Sequence, residues 1–563
     1  MEIKKKDGHL PDYALVERQE MIRGVGYGDE AIERIQIGVV SSWGEVNPAA
    51  VHLDRVTAAA KAGIWAAGGT PREFVISSIC TSMAGNDNYH LPHRDLVAGY
   101  IETVAQTNLF DAMVFVPVCD DVIPGHLMAA ARLNLPAVVV TGGYMQLNRH
   151  KGKLLDPLDV APKHYRQFKE GRISADEYRR IKNRGCPGVG ACPVMGTANT
   201  MATMAEVLGM SLPGNAATPG ADSHLLRLAF EAGRQVVALH REDIKPSDIM
   251  TLDAFKNAVR VLMAIGGSTN GVLHLQSIAA ELDLEVDLDT FNRLSKETPL
   301  ICDVAPSGTG RHFLVDLDEA GGIPAVLKEL QPLLATGVMT VAGRRLGDLL
   351  AQVPTGDRRV IYALTEPLAK GGGLTFLKGN LAPGGGLIKT SAVPEAMHRH
   401  RGPARIFPTE EEACEALIDD RIAPGEVVVV RYVGPKGDPG MRLLQRFLWM
   451  VAAKGMQDRI AFITDGRFSG TNKGCAVAHI SPEAAAGGPL ALVEEGDTIE
   501  IDIPGETLNV LLSPEQLEAR RAVWQPPQKK VQKGYLAVYS RMAKSAEKGA
   551  ALEYRDHSAE GSD

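Results

Sequence analysis

Two kinds of hydrophobic pattern alternate along the first half of the chain. Residues 112–118 (AMVFVPV) form a continuous apolar run short enough for a buried parallel strand. Pro124 and Gly125 then open a helical stretch through Leu133, and 137–141 (AVVVT) is a second apolar run. That succession predicts a βαβ unit, and so a parallel sheet covered by helices. Upstream, Val97, Ile101 and Val104 recur on one face of a helix predicted to start near Pro92, and 198–210 predicts another, with Thr197 or Asn199 near its start. The texture changes after about residue 355, where Gly371 to Gly373 and Gly384 to Gly386 break up the chain. VVVVRY at 427–432, IAFIT at 460–464 and LALV at 490–493 predict short buried β runs, and TIEIDI at 498–503 alternates as a strand with one wet face does. The expectation is an α/β protein: an N-terminal parallel-sheet domain over 1–365, a C-terminal β-rich domain over 366–535, and a charged, loosely held tail over 536–563.

Composition narrows the function classes. A chain of 563 residues is too long for one core. A net charge of −8 argues against a general nucleic-acid binder, which needs a basic surface to release counterions. No apolar run approaches the roughly 18 residues of a membrane span, and the basic start MEIKKKDGHLPDY has no apolar stretch behind it, so no signal peptide is expected. The seven cysteines, at 80, 119, 186, 192, 302, 414 and 475, are odd in number and sparse, which reads as reduced thiols in a cytoplasmic protein. Any one of them could equally be a buried, inert thiol.

Three segments carry candidate chemistry. Cys119-Asp120-Asp121 follows a predicted buried strand and precedes a helix, the position where open α/β sheets hold ligands. A thiol beside two carboxylates suits a cation, because adjacent acids repel unless something compensates them. The alternative is a helix N-cap, which needs only one of Asp120 and Asp121. In 185–201, Cys186 and Cys192 lie in a glycine-rich loop that runs into a helix, whose N-terminus favours thiolates and anions. Their six-residue spacing excludes a zinc ribbon, and a cysteine of this loop could join Cys119 around an iron–sulfur cluster. In 464–470 (TDGRFSG), Ser469 sits in a turn straight after a strand, either exposing its hydroxyl to a cleft or serving as an ordinary turn serine. Histidines 52, 90, 93, 126 and 274 show no ligand spacing and are expected to be mostly structural or surface groups.

Together these segments resemble the IlvD/Edd family, which includes dihydroxy-acid dehydratase and the sugar-acid dehydratases. The resemblance runs from about 35 to 545. It shows in HLPHRDL at 90–96, CDDVIPGHLMAAARLNLP at 119–136, GACPVMGTANTM at 190–201 and IGGSTNGVLHL at 265–275. It continues in LKGNLAPGGGLIKT at 377–390, GPKGDPGM at 434–441, ITDGRFSG at 463–470 and HISPEAAAGGPLALVEEGDTIEIDIP at 479–504. The resemblance implies an N-terminal α/β domain, a C-terminal β-barrel-like domain and a homodimer or dimer of dimers. It implies removal of water from a 2,3-dihydroxy acid or sugar acid to give a 2-keto acid. An iron–sulfur cluster (2Fe–2S or 4Fe–4S) acts as Lewis acid in such chemistry, magnesium holds the substrate, and a serine takes the carbon-2 proton.

By this resemblance Cys119 and Cys192 fall on cluster-ligand positions, Asp120 on a magnesium ligand and Ser469 on the serine base. Four other ligand positions differ, carrying Ala49 for cysteine, Ser78 for aspartate, Asp121 for lysine and Leu443 for glutamate; Val433 also stands where a glutamate is usual. These replacements argue against magnesium, because leucine cannot ligate a hard cation and an aspartate pair alone rarely builds an octahedral site. The leading expectation is a dehydratase with a rearranged site. In it Cys80 replaces the cysteine absent at 49, giving Cys80, Cys119 and Cys192 as cluster ligands, while Asp121 and His90 contact substrate or move protons. Two others stay open: a cluster-free lyase or isomerase with a divalent metal at Asp120 and Asp121, and a catalytically silent relative that binds a small acid.

Overall fold

A computed structural model describes residues 8–83, 85, 87–470, 473–528 and 531–554. The N-terminal unit is built on four parallel strands, β1 (Gln36–Ser41), β2 (Thr70–Val75), β3 (Ala112–Val116) and β4 (Ala137–Val139), in the order β2-β1-β3-β4. β1, β3 and β4 are buried along their whole length, as expected of continuous apolar runs covered on both faces. The crossover helices are α1 (Leu53–Ala66), α2 (His90–Asn108) and α3 (Val122–Leu133). α3 ends on Asn134 in the left-handed conformation, a common helix stop. Helix α4 (Thr197–Val207) is buried throughout, α5 (Ser223–Glu242) packs on α1 while α2 packs on α3, and α6 (Asn270–Ala280) also packs against α3. α1 and α5 cross so closely that a Cβ at Gly63 would lie 1.9 Å from the Phe230 carbonyl oxygen. The crossovers leave β1 and β3 in opposite directions, so their carboxyl ends form a topological switch point, where such sheets take ligands.

The C-terminal unit is an eight-stranded sheet. Its strands are β5 (Thr375–Leu377), β6 (Gly385–Ile388), β7 (Arg399–Phe407), β8 (Val427–Val430), β9 (Ala461–Thr464), β10 (Cys475–Ser481), β11 (Thr498–Asp502) and β12 (Thr507–Val510), in the order β12-β11-β7-β8-β9-β10-β6-β5. The edge strands meet through a bridge between Lys378 and Thr507, which nearly closes the sheet into a barrel. The run VVVV shows why it has no polar position. Val427 and Val429 point into the barrel core, while Val428 and Val430 pack outward under α7 (Glu410–Ile418) and α8 (Arg446–Lys454). The alternating strand β11 has the wet face its pattern predicts.

Two expectations are corrected here. LALV at 490–493 is buried, but it lies in a tight 3₁₀ turn over Pro489–Leu492 rather than a strand, because Pro489 starts the turn straight after Gly487 and Gly488. The segment read as a loose tail is firmly held through Tyr554, while 555–563 fall outside the described residues. Helix α9 (Tyr535–Met542) is followed by a turn that places Ala546 and Ala550 in a small core with Leu91, Leu273 and Met441. The buried Arg94 donates to the Gly549 carbonyl at 3.1 Å, and the Leu552 amide donates to Asp95 at 2.9 Å. No described helix is long and apolar enough to cross a membrane.

Candidate active site

The loops leaving the carboxyl ends of β1, β2 and β3 converge on one small cavity of about 50 Å³. The loop after β1 brings Ala49, the loop after β2 brings Cys80, and the connection from β3 to α3 brings Cys119 and Asp120. Cys192 comes from the glycine-rich loop before α4, and Gly196 to Asn199, the start of α4, form another side. The C-terminal unit supplies Ser469 from the turn after β9, together with Gln445 and Trp449. Among the described residues that line this cavity, none is lysine, arginine or histidine.

Cys119 turns the chain through φ +84°, a conformation that side chains other than glycine adopt only under constraint. The turn separates the next two carboxylates. Asp120 lines the cavity and accepts the backbone N–H of Ala198, so it caps α4, whose own N-cap, Gly196, has no side chain to do so. Burial first, then the charges of Asp121 and Cys80, pushes its pKa up to about 7, against the pull of Arg467 and the Ala198 amide. The Cys80 and Cys119 thiols are hydrogen-bonded to each other. Donation from Cys119, helped by the Ser82 and Met83 amides, holds Cys80 below the usual thiol range, while Cys119 is pushed up. Burial pushes Cys192 well above it.

Asp121 points the other way. It occupies the N-cap position of α3 but makes no capping bond. Its two oxygens receive Arg467 Nη1 at 3.2 Å and Nη2 at 3.1 Å, and His274 Nε2 lies 3.5 Å from Oδ1. Burial works to raise its pKa, but Arg467, His274 and His90 hold it below the ordinary carboxylate range. Behind His274 stands Arg94, which donates to its Nδ1 at 3.4 Å and pairs with Asp95 at 3.0 Å. His90 does not line the cavity. It sits 3.9 Å from Asp87, its pKa lowered by burial. Of the structural or surface roles expected for the scattered histidines, the structure shows the interior one: His52, His90, His126 and His274 are buried and His93 half-buried.

The serine turn is held from three directions. Thr197 Oγ1 donates to the Ser469 carbonyl at 3.0 Å and Ser268 Oγ at 3.3 Å, while the buried Lys389 Nζ donates to the Gly470 carbonyl at 2.8 Å. Asn270 Nδ2 in turn steadies Thr197 Oγ1 at 3.0 Å. So the structure brings Cys80, Cys119, Cys192, Asp120 and Ser469 around one cavity, and sets Asp121 and His90 behind it. Arg467, Ser268 and Lys389 were not singled out by sequence reasoning, and Thr197 only as a helix start, although each lies inside a quoted segment.

Among the described residues, no group of three histidine, cysteine, aspartate or glutamate side chains is disposed to hold a single metal ion. The other positions of interest are engaged elsewhere: the Ser78 hydroxyl donates to the Val118 carbonyl at 3.3 Å, Leu443 is buried in a backbone bridge with Arg467, and Val433 packs in the apolar core outside the barrel.

Comparison with known proteins decides the family. Residues 34–349 match the sequence model described as dihydroxy-acid/6-phosphogluconate dehydratase N-terminal, and 359–550 match its C-terminal counterpart. The chain belongs to the dihydroxy-acid/6-phosphogluconate dehydratase family. A dihydroxy-acid dehydratase of Moorella thermoacetica is 45% identical over 554 residues, covering 98% of this chain and 100% of that protein. One of Acetivibrio thermocellus is 45% identical over 538 residues (95% and 97%), and one of Ignicoccus hospitalis is 43% identical over 558 (98% and 100%). The chain is thus a dehydratase of this family. The family's two parts divide between the parallel-sheet unit and the barrel-like unit, and the cavity described above lies where they meet.

Proposed function

We propose that this dehydratase removes water from a small hydroxylated carboxylic acid, a 2,3-dihydroxy acid or sugar acid, to give a 2-keto acid, with an iron–sulfur cluster held by Cys80, Cys119 and Cys192. The observation that carries this is three thiols from three separate loops facing one cavity without a cationic side chain. Soft thiolates suit an iron–sulfur group, whose cysteines bind different irons and need not converge on one point. When bound, its open iron supplies Lewis acidity toward the departing hydroxyl. The protein supplies the rest. The first amides of α4 favour an anion at the cavity wall, and Ser469 lines the same wall with its carbonyl fixed by Thr197 and Ser268. Asp120 lies across the cavity as a second group able to take or give a proton at neutral pH. Asp121 and His90 do not reach the cavity, so we assign them no contact with substrate.

Magnesium does not fit this donor set. Asp121 is taken by Arg467, Ser78 by a carbonyl, and Leu443 offers no oxygen, which also counts against a divalent metal at Asp120 and Asp121. The names of the relatives make a 2,3-dihydroxy acid the first substrate to try. A second reading, a catalytically silent binder of a small acid, draws on the small cavity, since ligand pockets usually reach about 300 Å³ or more. For the assembled form we propose a homodimer. Trp43, Val46 and Met83 are exposed in the loops that carry Ala49 and Cys80, and a second copy would cover them. Iron and acid-labile sulfide, measured on protein purified without oxygen, test the central claim. Both are expected in the wild type and absent in Cys119→Ser, with 2-keto acid formed only by the former. A colourless, iron-free wild type that still folds overturns it and leaves the silent reading.

A further inference from the structure

Asp121 and Arg467 are joined across 346 residues of sequence, and both are almost fully inaccessible to solvent. Burying two charges carries a desolvation cost that their attraction only roughly offsets, so such a pair is weak evidence for added stability. It is better evidence for placement. Arg467 uses its planar fork on Asp121 and its Nε on the Met441 carbonyl, at 3.0 Å. It therefore binds three chain segments at once. The first is the start of the Val122–Leu133 helix, one residue from Asp120 and two from Cys119. The second is the 441–444 segment, and the third is the serine turn, two residues before Ser469. One end of the tie belongs to the thiol wall and the other to the serine wall.

The same neighbourhood leaves nothing for a hard cation. By the resemblance, oxygen ligands would come from 78, 120, 121 and 443. Here Ser78 gives its proton to a carbonyl, Asp120 caps a helix, Asp121 is saturated by the guanidinium, and Leu443 is apolar. We propose that the Asp121–Arg467 pair takes the place of a divalent cation as the tie between the two walls of the cavity, so that the site assembles without magnesium. Asp121 and Arg467 are positioning residues, acting through the thiol loop and through Ser469. His274, with its Nε2 3.5 Å from Asp121 Oδ1, is the third side chain packed against the pair. The inference rests on the family reading of the cavity, while its magnesium and melting measurements do not need the cluster.

The experiment uses the full chain purified without oxygen. Wild-type protein equilibrated with millimolar magnesium and then desalted is expected to retain none, and its unfolding temperature is expected to be the same with magnesium as with a chelator. Asp121→Asn is expected to melt well below wild type, without rescue by magnesium, and Asp121→Glu, which keeps the charge, to recover part of the loss. The visible circular dichroism of iron-loaded Asp121→Asn is expected to change well below its melting temperature, a signature that mere loss of stability would not give. If Asp121→Asn fails to fold, Arg467→Lys, which keeps the charge and loses the fork, carries the same measurements. Stoichiometric magnesium on the wild type overturns the proposal, as does Asp121→Asn with wild-type melting and dichroism. Iron content decides the proposed function, whereas magnesium retention and melting decide this tie, so each can fail while the other stands.

Discussion

Asp120 and Asp121 are neighbours in sequence, yet they belong to opposite electrical worlds. The cavity side holds three thiols, Asp120 and Ser469, with no cationic side chain among the described residues. The layer behind it holds Arg467, Arg94 and His274 packed around Asp121 and Asp95. One layer offers no positive side chain among its described residues. The other has already matched each carboxylate to a guanidinium. The dividing line is the turn at Cys119, whose φ of +84° sends successive side chains to opposite sides. A two-carboxylate motif is therefore no evidence of a two-carboxylate site: each acid does what its own side of the backbone allows.

Matched substitutions test that division. Asp121→Asn removes the counter-charge of a fully buried arginine, and a loss of about 3–5 kcal/mol is expected in denaturant unfolding. A loss under about 1 kcal/mol would mean that water reaches Arg467 and that the layer is not sealed. The next effect comes from pH. Burial lowers His126 from 6.5 to about 4, with its Nδ1 bonded to the Val122 carbonyl at 2.8 Å. The unfolded chain then binds one more proton than the folded one between those values. Stability from this residue is full above pH 6.5 and lost as pH falls toward 4, by about 3 kcal/mol. His126→Gln is expected to flatten the pH dependence of the unfolding midpoint across that window by one proton; an unchanged slope would place the effect elsewhere.

On the cavity side the expected stability effects are smaller. Ser469→Ala is expected to abolish turnover while changing stability by no more than about 1 kcal/mol, because Thr197, Ser268 and Lys389 hold the turn through backbone carbonyls that the substitution keeps. Residual turnover near wild type would remove Ser469 from the chemistry. Asp120→Asn is the smallest of all. An amide oxygen still accepts the Ala198 N–H, and a carboxyl with a pKa near 7 is already partly protonated at neutral pH. A change within about 0.5 kcal/mol is expected, because asparagine and aspartate cap helices about equally well. A large destabilisation by Asp120→Asn beside a small one by Asp121→Asn would invert the comparison.

Much of the fold was legible because burial on both faces leaves a plain mark: the apolar runs at 112–118, 137–141 and 427–432 all contain strands. The LALV run carried the same mark and is not a strand, since apolar content reports burial and Pro489 decides the geometry. The last described residues misled for the opposite reason. Their small and charged composition suggests solvent, but Ala546 and Ala550 are small because they fill a narrow gap over Leu91 and Met441. At the cavity, Cys80 could be suggested from its place two residues after Ser78, and the structure sets it beside Cys119. The role of Asp121 was not legible, because its partner lies 346 residues away and nothing local announces it.

The contacts that Gly549 and Leu552 make with the first unit also set an order for biosynthesis. Helix Val122–Leu133 and its neighbour carrying Arg94 emerge early from the ribosome, but the carbonyl that receives Arg94 belongs to Gly549 and the amide that receives Asp95 belongs to Leu552. A nascent chain must therefore carry this arginine and aspartate without those two partners until translation has passed residue 552. Assembly of the charged layer behind the cavity waits on translation past residue 552, and chains that stop before residue 549 would be left with an unfinished first unit rather than a trimmed second one.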